Sequence, residues 1–521
     1  MAPPVGRNIL VNRHRALFRV ALLIVILAVQ LLPMPPGNAG NEIQVTYNGK
    51  KIEFSTSPFI RNGATYVQAR PLLNAVGWQV QWLDKTRFKL FRSDAVVDME
   101  VGKTGAALNG NKMSLPDAPI LSNSTLFLPV RSVSALLGLQ VGWFAAANSV
   151  ALTGPGVTPA ISPYRIVAYF PYWASYQKLD LASMASSGIT HINYAFANIQ
   201  SGEVVMGDAS TDRANFAELQ RIKKINPSFK ALISVGGWNW SGLFSDVALT
   251  AASRTKFAAS AVRFIREHGF DGVDLDWEYP VAGGLSSNRT RPEDKRNFTL
   301  LLKELRDRLD EAQQKDGTRY LLTIAAGASS SYIANTEMDK AAAIVDWINL
   351  MTYDYHGSWE KTANHHAPLY SDPKRPATSG ASANDTVNAF LKAGVPASKL
   401  VLGIPLYGRG WTGCEASGNG MGQSCKGLSG GANSAGVHEY GNLENQGWID
   451  GNGFVRYWDD VAKVPWLFRK TTGTFVTYED PESLAYKTGY IKAKGLGGAV
   501  AWEISQDFNG TLLKKLIQAL K

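Results

Sequence analysis

The sequence predicts an α/β protein: a (β/α)8 TIM barrel with an α+β insertion between its seventh and eighth strands, preceded by a small α+β domain. Three observations predict it. From Tyr164 onward, eight short β-rich runs alternate with helical patterns. The interval between the seventh and eighth runs is much the longest, and its content of Gly, Trp and Tyr argues for a folded insertion rather than a structureless loop. Ahead of the barrel, a weakly repeated pattern of short strands and apolar helices fills residues 40–153. At 521 residues the chain is long enough for more than one core, and 45% hydrophobic with 18% charged residues is a globular balance.

Residues 1–39 read as a secretory signal peptide. Arg7, Arg13, Arg15 and Arg19 form a basic start, an apolar run follows from Val20 to Leu32, and Pro36-Gly-Asn-Ala39 offers a small-residue cleavage site. That run is too short to span a bilayer comfortably, so no transmembrane anchor is expected after cleavage. The mature protein is expected to be secreted, extracellular or associated with the cell wall.

In residues 40–153 two copies of one pattern follow each other. The first has Thr65-Tyr-Val-Gln-Ala-Arg70, an apolar helix from Pro71 to Val76, Gly77, and a strand ending at Trp82. The second has Leu126-Phe-Leu-Pro-Val-Arg131, a helix from Val133 to Leu137, Gly138, and a strand ending at Trp143. The segment resembles the copper amine oxidase N-terminal-like module, or stalk domain. Between Asn41 and Leu152 there is neither His nor Cys, so a copper site lacks its usual ligands. A spacer or wall-proximal role is expected, with cell-wall polymers as its partner. Pro155, Pro159 and Pro163 then stiffen a linker at 154–163.

In the barrel, residues 164–521, the strands are expected at Arg165–Phe170, His191–Ala197, Ala231–Val235, Gly272–Glu278, Leu321–Ala326, Trp347–Tyr353, Leu400–Leu406 and Gly498–Trp502. Amphipathic helices such as Ser253–His268 and Glu293–Gln314 separate them, and the insertion occupies about 411–482. Within it, Cys414 and Cys425 lie close together in a Gly/Ser-rich loop, which in an exported protein points to a local disulfide.

The chemistry concentrates in Asp271-Gly-Val-Asp-Leu-Asp-Trp-Glu-Tyr-Pro280. Side chains alternate faces on a strand, so Asp274, Asp276 and Glu278 point one way and Val273, Leu275 and Trp277 the other. Three acids on the inner face of a barrel strand are costly to bury without partners. The last of them also reaches the strand's C-terminal end, where barrel active sites are built. No Lys or Arg is interleaved to neutralise them.

Asp271-x-x-Asp274-x-Asp276-x-Glu278 resembles the active-site signature of glycoside hydrolase family 18, the chitinase family. Ser234-Val-Gly236-Gly237-Trp238, Met351-Thr-Tyr353-Asp354, Gly403-Ile-Pro-Leu-Tyr407-Gly-Arg409 and Gly497-Gly-Ala-Val-Ala-Trp502 are similar to its other motifs and stand in the same order. The resemblance implies a secreted chitinase that hydrolyses β-1,4-N-acetylglucosamine linkages with retention, the substrate's own acetamido oxygen acting as nucleophile. It implies Glu278 as general acid and base, Asp276 orienting the acetamido group, Asp274 coupled to Asp276, and Tyr353 donating to the acetamido oxygen. Trp502 becomes the floor under the reacting sugar, and Asp354, Met351, Tyr407, Arg409, Trp238, Tyr169 and Phe196 become substrate contacts. Asp271, Ser234, Gly236 and Gly237 hold the site together from behind. Trp173, Trp411 and Trp458 either extend the aromatic track or pack in the core.

Chitin or chitooligosaccharides are the expected substrates; peptidoglycan or another N-acetylglucosamine glycan is the alternative, and a catalytically silent chitin-binding lectin is the alternative of another class. No cofactor or metal is expected, since the adjacent His365 and His366 lack an identifiable third ligand. The formal charge of +10 falls to near +6 once the four leader arginines are removed, and it is spread along the chain, so nucleic acid is not an expected partner. A monomer is expected.

Overall fold

The computed structural model describes residues 43–92, 95–144, 148–154, 164–177, 188–375, 380–431 and 435–521. The signal peptide, and the linker beyond Gly154, lie outside the described residues. Two compact units divide the chain, one ending at Thr158 and the other beginning at Pro159.

In the first unit the internal repeat is visible as paired structure. Strands Ala64–Gln68 and Thr125–Pro129, one from each copy, pair antiparallel at the centre of a four-stranded sheet. Each leads directly into a short helix, Ala69–Ala75 or Val130–Ser134. These helices begin earlier than the apolar pattern suggests, and each stops ahead of a left-handed glycine, Gly77 or Gly138. A five-stranded antiparallel sheet, Gln79 to Ser114, and a second four-stranded sheet complete the unit around a core that includes Leu72, Trp78, Phe88 and Leu128.

The second unit is the expected barrel. Its strands are β1 (Arg165–Pro171), β2 (His191–Gln200), β3 (Lys230–Gly236), β4 (Gly272–Asp276), β5 (Leu321–Gly327), β6 (Trp347–Met351), β7 (Leu400–Pro405) and β8 (Gly498–Trp502). Every neighbouring pair is parallel, and β1 pairs with both β2 and β8, which closes the sheet. Helices α1 (Ala209–Ile225), α2 (Ala251–His268), α3 (Asp294–Asp316), α4 (Met338–Ile344), α5 (Ala383–Lys392), α6 (Pro481–Lys494) and α7 (Thr511–Leu520) follow strands in chain order.

Local sequence sets these boundaries. Thr250 and Ser253 form a reciprocal capping box at the start of α2, and Gly269 ends it in a left-handed conformation. Asp480 and Ser483 do the same for α6, with Pro481 in the first helical turn. On the outer face of β4, Val273, Leu275 and Trp277 are buried, and Trp277 stacks on Phe244 at 5.3 Å and meets Phe298 of α3 edge-on at 5.6 Å.

Three strand ends fall short of expectation, β7 by one residue, at Pro405. β4 stops at Asp276 and β6 at Met351, so Glu278 and Tyr353 stand just beyond the ladder. The insertion begins earlier than expected, with strand Tyr407–Thr412. It continues through Val437–Glu439, Val455–Asp459, Val464–Arg469 and Thr474–Thr477. Glu482, placed in the insertion from sequence, belongs to α6. Cys414 and Cys425 form a disulfide inside the insertion, whose core includes Trp411, Trp466 and Phe475.

Candidate active site

The three acids of the β4 segment share the inner side but differ in what surrounds them. Asp274 is wholly buried and fully served. Tyr169 of β1 and Ser234 of β3 each donate a hydroxyl at 2.8 Å, Asn349 of β6 donates its amide at 3.2 Å, and Thr323 of β5 donates the fourth bond. Burial raises the Asp274 pKa, and these four donors pull it back toward the ionised form.

Asp276 is also buried, but its Oδ1 meets no hydrogen-bond donor among the described residues. Burial first, then the neighbouring Glu278 and Asp274, push it well above the usual carboxylate range. Asp274 and Asp276 were expected to be coupled, through a shared proton or hydrogen bond. Instead, neutral donors occupy Asp274, and the two carboxyls communicate through their charges.

Glu278 lies past the strand end and is 9% exposed. Burial pushes its pKa up to about 7; Tyr279 works against the rise and Asp354 adds to it. A carboxyl poised there can give a proton and take one back near neutral pH. Its backbone N–H donates to the Ser241 hydroxyl and its carbonyl accepts from Asn288, each at 2.9 Å.

Beyond β6, Tyr353 and Asp354 face this acid. Burial and then Asp276 raise the Tyr353 pKa, which keeps its hydroxyl protonated. Asp354 accepts a two-pronged bond from Arg409, both contacts at 2.6 Å, and a third from the Tyr407 hydroxyl at 2.6 Å. Burial opposes its charge, but the nearby His366 ring and the Arg409 guanidinium more than offset this and hold Asp354 well below the usual range. Tyr407 and Arg409 lie just past the seventh barrel strand. They sit on the first strand of the insertion, so the insertion itself supplies one wall of the site. Arg409 also lies over the ring of Trp359, which is 59% exposed and was not anticipated.

The aromatic residues divide into rim and support. Trp502 is half-buried at the end of β8, with Tyr169 packed against it at 5.2 Å and Phe196 at 5.9 Å. Tyr169 and Phe196 were expected as substrate contacts. The structure buries both beneath Trp502, and the Tyr169 hydroxyl is spent on Asp274. Trp238 is 48% exposed at the rim, near Trp240, which stacks on Tyr172. Trp411 belongs to the insertion core and donates to the Glu360 carbonyl. Met351 is the half-buried last residue of β6.

Of the residues expected behind the site, Ser234 reaches Asp274 directly. Gly236 and Gly237 allow close approach: a Cβ on Gly236 would fall 2.4 Å from the Asp276 carbonyl, and one on Gly237 would strike the Phe196 ring. Asp271 works at the opposite end of β4, accepting from the Ala231 N–H at 2.8 Å and pairing with Lys223 at 2.8 Å. Thr323 and Asn349 escaped the sequence reading, although each is a lone polar residue inside an apolar strand run, the signal that could have found it. His365 contacts Asp459 and Thr477 while His366 faces Asp354, so the two rings have different neighbours. Among the described residues, no group of three or more His, Cys, Asp or Glu is arranged to hold a metal ion, and no helix is long and apolar enough to cross a membrane.

Comparison with known proteins extends over most of this unit. Glycosyl hydrolases family 18 matches residues 165–507, and the copper amine oxidase N-terminal domain matches residues 46–152. Chitinase A1 from Niallia circulans is 46% identical over 439 residues, which cover 74% of this chain and 62% of that protein. The chain therefore spans less than two thirds of that relative's length. Among solved structures, chitinase ChiA74 from Bacillus thuringiensis aligns with a TM-score of 0.65 at 41% identity, covering 68% of this chain and 69% of that one. A family 18 N-acetylglucosaminidase from Paenibacillus barengoltzii aligns with a TM-score of 0.61 at 38% identity, covering 68% and 99%.

Proposed function

Because the chain belongs to glycosyl hydrolases family 18, we propose that it is an exported chitinase that cleaves β-1,4-N-acetylglucosamine linkages with retention, using Glu278 as acid and then as base. One observation carries this reading: a buried carboxyl poised near neutral pH stands beside a buried Asp276 oxygen that has no donor among the described residues. An unserved buried acceptor costs about 1–3 kcal/mol, and the N–H of an acetamido group is the kind of donor that relieves it.

In the resulting mechanism a sugar rests on Trp502 with its acetamido N–H on Asp276 and its acetamido oxygen against the Tyr353 hydroxyl. Glu278 protonates the glycosidic oxygen as the acetamido oxygen attacks the anomeric carbon on the opposite side. The bond to the leaving sugar breaks and a cyclic oxazolinium forms, its positive charge stabilised by the Asp276 carboxyl, which accepts the acetamido N–H. Glu278, now ionised, takes a proton from water, which opens the ring from the face the leaving group vacated. Two inversions give net retention. Asp274, its oxygens taken up by four neutral donors, does not compete for the substrate. Asp354, Tyr407, Arg409 and Trp359 line the insertion side, where the leaving chain exits.

The test is the early product pattern from N-acetylglucosamine hexamer and from purified peptidoglycan, with the mature protein and Glu278→Gln side by side. The reading expects β-anomer products from the hexamer that vanish in the variant. Cleavage of peptidoglycan alone would replace the substrate assignment. Chitin binding without cleavage of either polymer would make the protein a lectin on this barrel.

A further inference from the structure

We propose that Ser241 and Asn288 are positioning residues that grip the Glu278 peptide from two sides, and that this grip, rather than the barrel strand, sets where the acid stands. The inference rests on the reading of Glu278 as acid and base.

The barrel ladder does not reach Glu278. Pairing of β4 with β3 ends at Asp276 and Gly236, and pairing with β5 ends at Leu275 and Ile324. A residue two positions beyond a strand end has no ladder bond to fix its backbone, yet an acid must be placed to well within an ångström to deliver a proton. Here side chains take over. The Glu278 N–H donates to Ser241 Oγ and the Glu278 carbonyl accepts from Asn288 Nδ2, each at 2.9 Å.

The two grips come from different loops that hold each other. Ser241 follows β3 and is fully buried. Its oxygen lies 2.9 Å from the Gly237 carbonyl and 3.1 Å from the Asp276 carbonyl, and its single proton serves one of them at a time. Gly237 N–H donates to that same Asp276 carbonyl at 2.8 Å, so the loop after β3 is tied to the backbone of both acids. Asn288 belongs to the loop after β4, where Arg289 N–H reaches the Gly242 carbonyl at 3.3 Å and Arg291 pairs with Asp246 at 2.7 Å.

Gly284 makes the second grip possible. It has φ +75, and a Cβ there would fall 2.1 Å from the Glu278 carbonyl oxygen and 2.7 Å from Asn288 Nδ2. The close approach that lets Asn288 reach the carbonyl excludes any side chain at position 284.

Neither grip touches the Glu278 carboxyl, so their loss displaces the acid without removing charge from its surroundings. The groups facing that carboxyl are Asp276 from the β4 segment, Tyr279, Tyr332, and Tyr353 and Asp354 beyond β6. All keep their side chains in the variants.

The experiment measures hexamer hydrolysis, its pH profile and thermal unfolding for Asn288→Ala, Ser241→Ala and Glu278→Gln, and for the pair Asn288→Ala/Glu278→Gln. Each grip variant is expected to lower kcat roughly tenfold to a hundredfold with KM within about threefold. Their alkaline limb should move, and Asn288→Ala should cost nothing further in the Glu278→Gln background. Asn288 sits half-buried on a loop, so this variant tests the proposal even if Ser241→Ala fails to fold. A folded Asn288→Ala with the kcat and limb of the unmodified protein overturns the grip while an inactive Glu278→Gln leaves the acid assignment standing. An unimpaired Glu278→Gln overturns both.

Discussion

Replacing Asp354 by Asn should shift the pH dependence of turnover in a direction the geometry fixes. Burial is the main force raising the Glu278 pKa to about 7, and the Asp354 charge adds to it. Asp354 is itself held ionised by His366 and Arg409 against burial, so its negative charge is present at every working pH. At an effective dielectric of about 20, a neighbouring unit charge is worth on the order of 2 kcal/mol. Asn of the same size removes that charge and leaves the Arg409 charge uncompensated, which favours an ionised Glu278 in the same direction. Water entering around Arg409 takes part of both effects away.

The sign follows from the role. An acid is active while protonated, so activity is lost as pH rises through its pKa. Lowering that pKa brings the loss to lower pH. The alkaline limb of kcat/KM should move from near pH 7 to roughly pH 6 in Asp354→Asn. The assay is initial hexamer hydrolysis between about pH 4 and 10 at constant ionic strength, read by limb position rather than height, because Asn also weakens contacts to Tyr407 and Arg409. Tyr407→Phe is the control: it removes the 2.6 Å bond but not the charge, so its limb should barely move. A limb that stays put or rises in Asp354→Asn would refute the assignment of the limb to Glu278.

Three further outcomes are expected. Glu278→Gln should melt higher than the unmodified protein at pH 8 but not at pH 4. The raised carboxyl contributes stability that is complete below its ordinary 4.5 and is lost as pH rises through about 7, a difference of up to about 3 kcal/mol; equal melting at both values would count against the raised pKa. Lys487→Met should cost about 3–5 kcal/mol in urea unfolding, because it strands Glu479 in a pair with no exposed side-chain surface, and Lys487→Met/Glu479→Leu should recover most of the loss. Tyr169→Phe should lower kcat roughly tenfold, the worth of one bond to a carboxylate, without raising KM; a raised KM would return Tyr169 to the cleft.

The sequence made the barrel legible because eight parallel strands buried on both faces must be short apolar runs, and because β4 breaks that rule with acids that only a functional site accounts for. It also made the inward direction of Asp274, Asp276 and Glu278 legible, since alternation needs no knowledge of tertiary contacts. It did not reveal where the ladders stop. Glu278 and Tyr353 read as strand residues, and only pairing shows them two residues beyond β4 and β6. Tyr407 lies just past β7, and its pairing with Glu439 in the insertion sheet depends on tertiary contacts that the local run does not show. Tyr169 and Phe196 show the same limit, because an aromatic at a strand end reads the same whether it lines a mouth or supports the residue that does. Ser241 and Asn288 carry no pattern, since hydrogen bonds across 37 and 10 residues depend on loop paths that periodicity does not encode.

The order of the acids along the β4 segment has a physical logic of its own. Asp274 receives four donors, Asp276 keeps one oxygen unserved, and Glu278 is raised by burial at the opening. If all three were equally satisfied, all would ionise, and the site would hold three neighbouring negative charges with no proton to give. If none were, all would stay neutral, and nothing would balance a cation forming on the sugar. Grading the donors separates the roles: the innermost acid can carry charge, the outermost can carry the proton, and the middle one responds to its neighbours. That separation depends on Tyr169, Ser234, Thr323 and Asn349, four neutral residues on four strands. Weakening that set should therefore disturb the proton on Asp276 and Glu278 although none of the four touches either carboxyl.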